Sequence, residues 1–278
     1  MTDESEISVR LLLQTQTMSL RDMVCRGHCR HRSAEECATA TYIVFPYRGV
    51  YIRHVGRSDA VAEANQVLFF NESESYRISH PVQGGDACIS LALGEPALRE
   101  LAPKEHVRPE GPLAFAEHRL RIDSDTQVLA AQLRHRLVRD VTEPLEAETM
   151  VMTLVRRALG GRMSHSARAS VGRQKLVDRA KLVLSSDLAR RWTLADIGAE
   201  VGVSPVYLTQ VFQQVEGMPL YRYQLRLRLA RALDLLDRYD DLNSLGMDLG
   251  FSSHSHFTAA FRQTYGRTPA AFQRSILG

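Results

Sequence analysis

An α+β fold is predicted from three observations. Short segments rich in β-branched and aromatic residues fill 38–93, apolar spacing turns helical from Thr126, and one punctuated helical pattern occurs twice in the C-terminal third. The 278 residues are enough for two domains, each with its own core. Composition is that of a globular chain, 44% apolar and 24% charged. The early stretch LLLQTQTMSL is short, Gln-broken and flanked by Arg10 and Arg21, so it fits neither a membrane span nor a cleavable signal. A cytoplasmic protein is expected.

The strand region starts with TYIVFPYRGVYIRHV, interrupted at the Arg48-Gly49 turn signal. QVLFFNE, YRISHP and DACISLAL follow, separated by Asn-Glu-Ser and Gly84-Gly85-Asp86. Short strands at this spacing predict a small barrel or sandwich. Further on, Val128, Leu129, Leu133 and Leu137 mark one helix; Ala147, Val151, Leu154, Val155 and Ala158, after Glu143-Pro144, mark a second. These helices have two places to go: onto the strands, or against a second subunit. GGRMSHSARASVGR, residues 160–173, is small, polar and basic, as linkers are.

The repeated pattern is LADIGAEVGVSPVYLTQVFQQVEGMP at 194–219 and LNSLGMDLGFSSHSHFTAAFRQTYGRTP at 242–269. Each copy has Leu, an aliphatic residue three on, Gly at four, an aliphatic at seven and Gly at eight. A serine cap follows, then an apolar pair (Leu208/Phe212, Phe257/Phe261) and a closing Gly before Pro. Leu194, Ile197 and Val201 are expected to form the buried stripe of a short helix. Gly202 suits a left-handed helix stop, Ser204 an N-cap and Pro205 the first helical position. Leu208, Val211, Phe212 and Val215 then turn inward. A short helix, a sharp turn and a second helix held by its apolar face make a helix-turn-helix.

Between the copies, LYRYQLRLRLARALDLLDRY carries Leu225, Leu229, Ala232 and Leu236 at helical spacing. A straight helix there, roughly 27 Å long at 1.5 Å per residue, is comparable with the turn of B-DNA, about 34 Å. Charge agrees with a polyanionic partner. Residues 173–278 hold 14 Lys/Arg against 10 Asp/Glu, whereas 1–172 hold 21 against 22.

The Gly202-Val203-Ser204-Pro205 turn, Arg228-Leu229 with Ala232 and Leu235-Leu236, and Gly250-Phe251, Phe257, Phe261, Gly266 and Pro269 together resemble the DNA-binding domain of the AraC/XylS family of bacterial transcription regulators. The resemblance covers roughly the last 100 residues. It implies a cupin-like β-barrel or sandwich as effector domain over 1–122 and a helical dimerisation region over 123–160. A linker over 161–173 and a DNA-binding domain with two helix-turn-helix units over 174–278 complete the division. The implied partners are double-stranded DNA, a small-molecule effector, a second copy in a homodimer, and RNA polymerase. Neither membrane nor cofactor is implied, and no residue is assigned a catalytic role.

On the first unit, Ser204, Val206, Thr209, Gln210 and Gln213 lie opposite the apolar face and are candidates for DNA contact. Glutamine pairs bidentately with adenine, and a threonine methyl meets that of thymine. The family frequently carries Arg at the place of Gln210, which points to a different base preference. On the second unit the candidates are Ser252, His254, Ser255, Thr258, Arg262 and Arg267. Ala259 departs from the basic residue often found there, so this unit is expected to anchor phosphates. His254 and His256 have no third metal ligand beside them. Trp192 is expected to pack the start of the helical core, with Arg190 and Arg191 near phosphate or in solvent.

CRGHCRHRSAEEC offers Cys25, His28, Cys29 and Cys37 as candidate metal ligands or redox-sensing thiols. The Cys25/Cys29 spacing is also similar to that of methyl-acceptor DNA-repair regulators sharing this domain, without their second cysteine pair. Metal- or thiol-based sensing and methyl transfer are thus alternatives to a ligand-responsive regulator. An oxygenase reading would need His54, His80 and His118 to converge inside the strands, yet 38–93 holds no His-x-His pair with a following carboxylate.

Overall fold

The computed structural model describes residues 7–27, 31–160 and 170–277 and divides into two units, Met1–Arg162 and Met163–Gly278. The first contains β1 (Ile7–Gln14), β2 (Met18–Cys25), β3 (Glu36–Cys37), β4 (Tyr42–Arg48), β5 (Tyr51–Val55), β6 (Ser58–Ala62), β7 (Gln66–Phe70), β8 (Ser75–Ser79) and β9 (Asp86–Leu93). After these come α1 (Glu95–Leu101), β10 (Arg119–Arg121), α2 (Ser124–Val138) and α3 (Pro144–Gly160). The strands form two sheets, ordered β1-β2-β9-β4-β7-β10 and β3-β8-β5-β6. Neither ladder closes on itself, so the N-terminal unit is an open sandwich rather than a closed barrel.

Period-2 alternation builds three layers. Ile43, Phe45, Val67, Phe69, Ile89 and Leu91 face the helices and share a core with Leu133, Val151, Leu154, Val155 and Ala158. Val44, Leu68, Phe70 and Cys88 point the other way, into a second cluster with Ala38, Tyr51 and Ala62. The central strands are therefore apolar on both faces, which is why TYIVFP and QVLFF read as continuous runs. Through these residues α2 and α3 cover their own sheet. The Arg48-Gly49 turn is no simple hairpin, because β4 and β5 belong to different sheets.

The first two strands are an addition to the sequence reading. LLLQTQTMSL folds as a hairpin in which β1 pairs with β2, and β2 continues against β9 along its whole length. The side chain of Thr15 caps the turn, its hydroxyl accepting from the backbone N–H of Thr17 and Met18, each at 3.3 Å. Only Met18 and Leu20 of the stretch are buried, while Leu11 is 54% exposed. No helix among the described residues is long and apolar enough to cross a membrane.

The second unit is helical: α4 (Val171–Ser186), α5 (Leu194–Val201), α6 (Pro205–Glu216), α7 (Leu220–Leu235), α8 (Leu242–Asp248), α9 (His254–Tyr265) and α10 (Pro269–Leu277). Residues 171–173, expected as linker, are the first turn of α4, capped by Ser170 accepting from Arg173 N–H. Residues 161–169 lie outside the described residues.

Candidate nucleic-acid interface

The first helix-turn-helix is α5 and α6. Thr193 and Asp196 form a reciprocal capping box: Asp196 N–H donates to the Thr193 hydroxyl at 3.1 Å, and Thr193 N–H to the Asp196 carboxylate at 2.9 Å. The bond from Thr193 N–H, with the Thr193 hydroxyl beside it, holds the Asp196 carboxyl below the usual carboxylate range. Ile197 and Val201 are buried, but Leu194 is 44% exposed and does not belong to the stripe. At the first helical position, its side chain stands beyond the edge of the α5–α6 contact. Gly198 is required by packing, since a Cβ there would lie 2.8 Å from the Val203 carbonyl oxygen. Ser204 caps α6 by accepting from Tyr207 N–H, and Pro205 opens the helix.

Leu208, Val211, Phe212 and Val215 are buried as expected. Val206 is 69% exposed, and Gln210 and Gln213 also face outward. No side chain among the described residues satisfies the Gln210 or Gln213 carboxamide. Thr209, half-buried, donates its hydroxyl to the Pro205 carbonyl at 2.8 Å, so its methyl is the group left to present. Tyr207, 45% exposed, shares this surface and was missed by the sequence reading. Its position one residue before Leu208 was the available signal.

The second unit is α8 and α9. Asp241 caps α8, accepting from Asn243 N–H and Ser244 N–H. Gly250 closes α8 at φ +80°, and a Cβ there would lie 2.3 Å from the Ala189 carbonyl oxygen, so both backbone shape and space require glycine. Ser253 is the N-cap of α9, accepting from His256 N–H at 3.1 Å. The Ser252 hydroxyl lies 3.1 Å from His256 Nδ1, and His254 Nε2 lies 3.3 Å from the Thr258 hydroxyl. His254, Ser255, Thr258, Ala259 and Arg262 line an open depression of about 640 Å³ with Gln263 and Thr268. Arg262 and Arg267 are exposed and have no carboxylate partner among the described residues.

One residue of the connecting helix fixes the frame. Arg228 on α7 donates from Nε to Leu188 O at 2.5 Å and from Nη1 to Gly250 O at 3.1 Å. Its Nη2 donates to Ala189 O at 3.2 Å and Arg190 O at 2.9 Å. A single guanidinium thereby ties the loop entering the first unit to the turn of the second. Burial and nearby Arg191 pull its pKa below the ordinary guanidinium value. Trp192 packs partly against the first unit's core and donates from its indole to Asp187 O at 3.0 Å. Arg190 stacks on that ring at 3.9 Å. Arg228→Lys keeps the charge but loses the planar fork. It should destabilise this unit by about 2 kcal/mol or more, read as a lower denaturant midpoint of Trp192 fluorescence; an unchanged midpoint would remove Arg228 from this role.

In the first unit the histidines do not converge. His54 lies 2.6 Å from Asp59 and 2.9 Å from Ser79. His118 Nδ1 lies 3.3 Å from Arg53, and its pKa is lowered by burial and by that arginine. His80 is beside Asp86. The oxygenase arrangement is therefore absent among the described residues. Cys25 and Cys37 lie in different sheets, and His28 and Cys29 fall outside the described residues.

Two similar helix-turn-helix units with outward polar faces, joined by one helix, define a tandem DNA-binding domain. Residues 197–275 match the family model described as "Helix-turn-helix domain". The chain is 28% identical over 185 residues to the Escherichia coli HTH-type transcriptional regulator GadX, covering 66% of this chain and 67% of that one. It is 36% identical over 94 residues to the Salmonella typhimurium regulatory protein PocR, 34% of this chain and 30% of that one. A solved AraC-type regulator structure from Chromobacterium violaceum is 30% identical, covers 38% of this chain and 96% of that one, and overlays with a TM-score of 0.37. Residues 197–275 are thus a helix-turn-helix domain of the AraC type, the kind that DNA-binding transcription regulators carry.

Proposed function

We propose that the protein places α6 and α9 in adjacent major grooves of one duplex and that an effector taken up by its N-terminal unit controls this binding. The observation that carries the reading is the exposed, unpartnered Gln210 and Gln213 on one unit together with exposed, unpaired Arg262 and Arg267 on the other. Spacing supports it: α7 has 16 residues, about 24 Å, and a helix radius of roughly 5 Å at each end brings the span near one turn of DNA. The first unit reads bases through Gln210 and the Thr209 methyl, and the second anchors phosphates.

Effector control requires an effector that binds two states of the chain with different affinity. The N-terminal unit supports such a role by holding polar groups where a purely structural sandwich would be apolar: Arg53 is buried, paired with Glu74 at 2.5 Å and stacked on Phe70. The homodimer is supported by β1, an edge strand whose Ile7, Val9 and Leu11 are 45%, 53% and 54% exposed.

Selection of duplexes from a random pool by the full chain tests the reading. Two short conserved blocks about one helical turn apart are expected; a single block would overturn the two-groove arrangement. Gln210→Ala should weaken binding to the selected duplex roughly tenfold, from the 1–3 kcal/mol of a bidentate contact, with binding to random DNA nearly unchanged. An equal loss on both would refute base reading by Gln210.

A further inference from the structure

Away from the DNA-binding unit, β2 and β9 run antiparallel with Cys25 directly opposite Asp86. His80 is the residue that follows β8, a strand of the other sheet, and the 80–85 connection returns from that sheet to β9. The thiol sulfur of Cys25, a ring nitrogen of His80 and a carboxylate oxygen of Asp86 all lie within 4.8 Å of one another. We propose that Cys25, His80 and Asp86 form a binding site for a divalent ion of the zinc class, which pins the crossover between the two sheets to the end of β2.

Four features support this assignment. First, the donor set is one sulfur, one nitrogen and one oxygen, suited to Zn²⁺ and unlike the all-oxygen sets of Mg²⁺ and Ca²⁺. A thiolate and a carboxylate also neutralise the ion's two positive charges, which matters at a site this enclosed. Second, Asp86 is 6% exposed and its Oδ2 lies 2.7 Å from His80 Nε2, so a buried carboxylate and an imidazole nitrogen already converge beside the thiol. A carboxylate buried to this degree needs a compensating positive charge, which a metal ion between the two groups supplies. Third, the backbone N–H of Gly27 donates to Cys25 Sγ at 3.3 Å, which fixes the orientation of the sulfur as an outer hydrogen bond does for a metal ligand.

The fourth feature is the shape of the connection. Gly85 sits so close to the end of β2 that a Cβ would lie 2.2 Å from the Cys25 carbonyl oxygen, and at φ +66°. The loop is thus pressed onto the residue that supplies the sulfur. Cys88, two residues beyond Asp86, does not join the set: its side chain packs in the apolar cluster with Val44, Tyr51 and Leu68. Binding forms three coordinate bonds to the ion and releases the Cys25 thiol proton to solvent, together with any proton held between His80 and Asp86.

The site is independent of the DNA-recognition reading. The test is titration of reduced full-length protein with Co²⁺, followed by displacement with Zn²⁺. One equivalent of Co²⁺ should give a thiolate-to-cobalt charge-transfer band and tetrahedral visible bands that Zn²⁺ abolishes. Cys25→Ser should remove the charge-transfer band. His80→Gln and Asp86→Asn should weaken binding on the order of 10–100-fold, and Cys37→Ser should leave the spectrum intact. Zn²⁺ should raise the melting temperature of the wild type but not of Cys25→Ser or Asp86→Asn; metal-free melts show that the variants fold. Absence of a charge-transfer band in wild type, its persistence in Cys25→Ser, or undiminished affinity in both His80→Gln and Asp86→Asn would overturn the site.

Discussion

Phe261→Ala should destabilise the C-terminal unit by about 3–5 kcal/mol, the cost of deleting a buried aromatic side chain and leaving a cavity. Phe261 is fully buried on α9. Its ring lies 4.8 Å from that of Tyr265, 5.9 Å from Phe257 and 6.2 Å from Phe272, all edge-on. These rings hold α9 and α10 together, and Arg262 and Thr258 are aimed from the opposite face of α9. The variant should therefore bind the selected duplex more weakly as well as melt earlier. Trp192 is the only tryptophan in the chain and lies in this unit, so its fluorescence in denaturant reports the unit selectively. An unaltered midpoint would contradict the packing role assigned to Phe261.

A comparable loss, about 3–5 kcal/mol, is expected for Glu216→Ala, for a different reason. Glu216 ends α6 and forms an ion pair with Lys181 Nζ of α4 at 2.7 Å, with both side chains completely buried. Removing the carboxylate takes the nearest counter-charge from a buried ammonium group, which Asp178 at 4.0 Å and the Tyr223 ring at 5.4 Å also approach. Much of the loss is the penalty of that buried charge. The double variant Lys181→Met/Glu216→Leu, which removes both charges at similar volume, should recover most of it. If the double variant were as unstable as Glu216→Ala, the buried charge would not be the cause.

The C-terminal unit was far more legible than the N-terminal one. Ser204-Pro205, Gly202, Gly250 and the Leu208/Phe212 and Phe257/Phe261 pairs each act within a turn or two of chain, so their meaning is local. One detail still escaped: Leu194 has the spacing of a buried residue but is 44% exposed. In the N-terminal unit, β1 and β2 went unrecognised because their glutamines and threonines, in a strand with one open face, resemble loop composition. The grouping of Cys25 with His28 and Cys29 rested on proximity in sequence.

Local chemistry along the chain was sufficient to specify the tandem helix-turn-helix, its caps, its buried stripes and its outward polar residues, because helices are read from contacts three and four residues apart. Folding in three dimensions alone settled that β2 lies against β9, that β4 and β5 part into different sheets, and that Arg228 reaches both Leu188 and Gly250. It also brought His80 and Asp86 to Cys25 across more than fifty residues. Strand pairing and buried polar contacts join distant segments whose register depends on the whole core, and no short pattern records that choice.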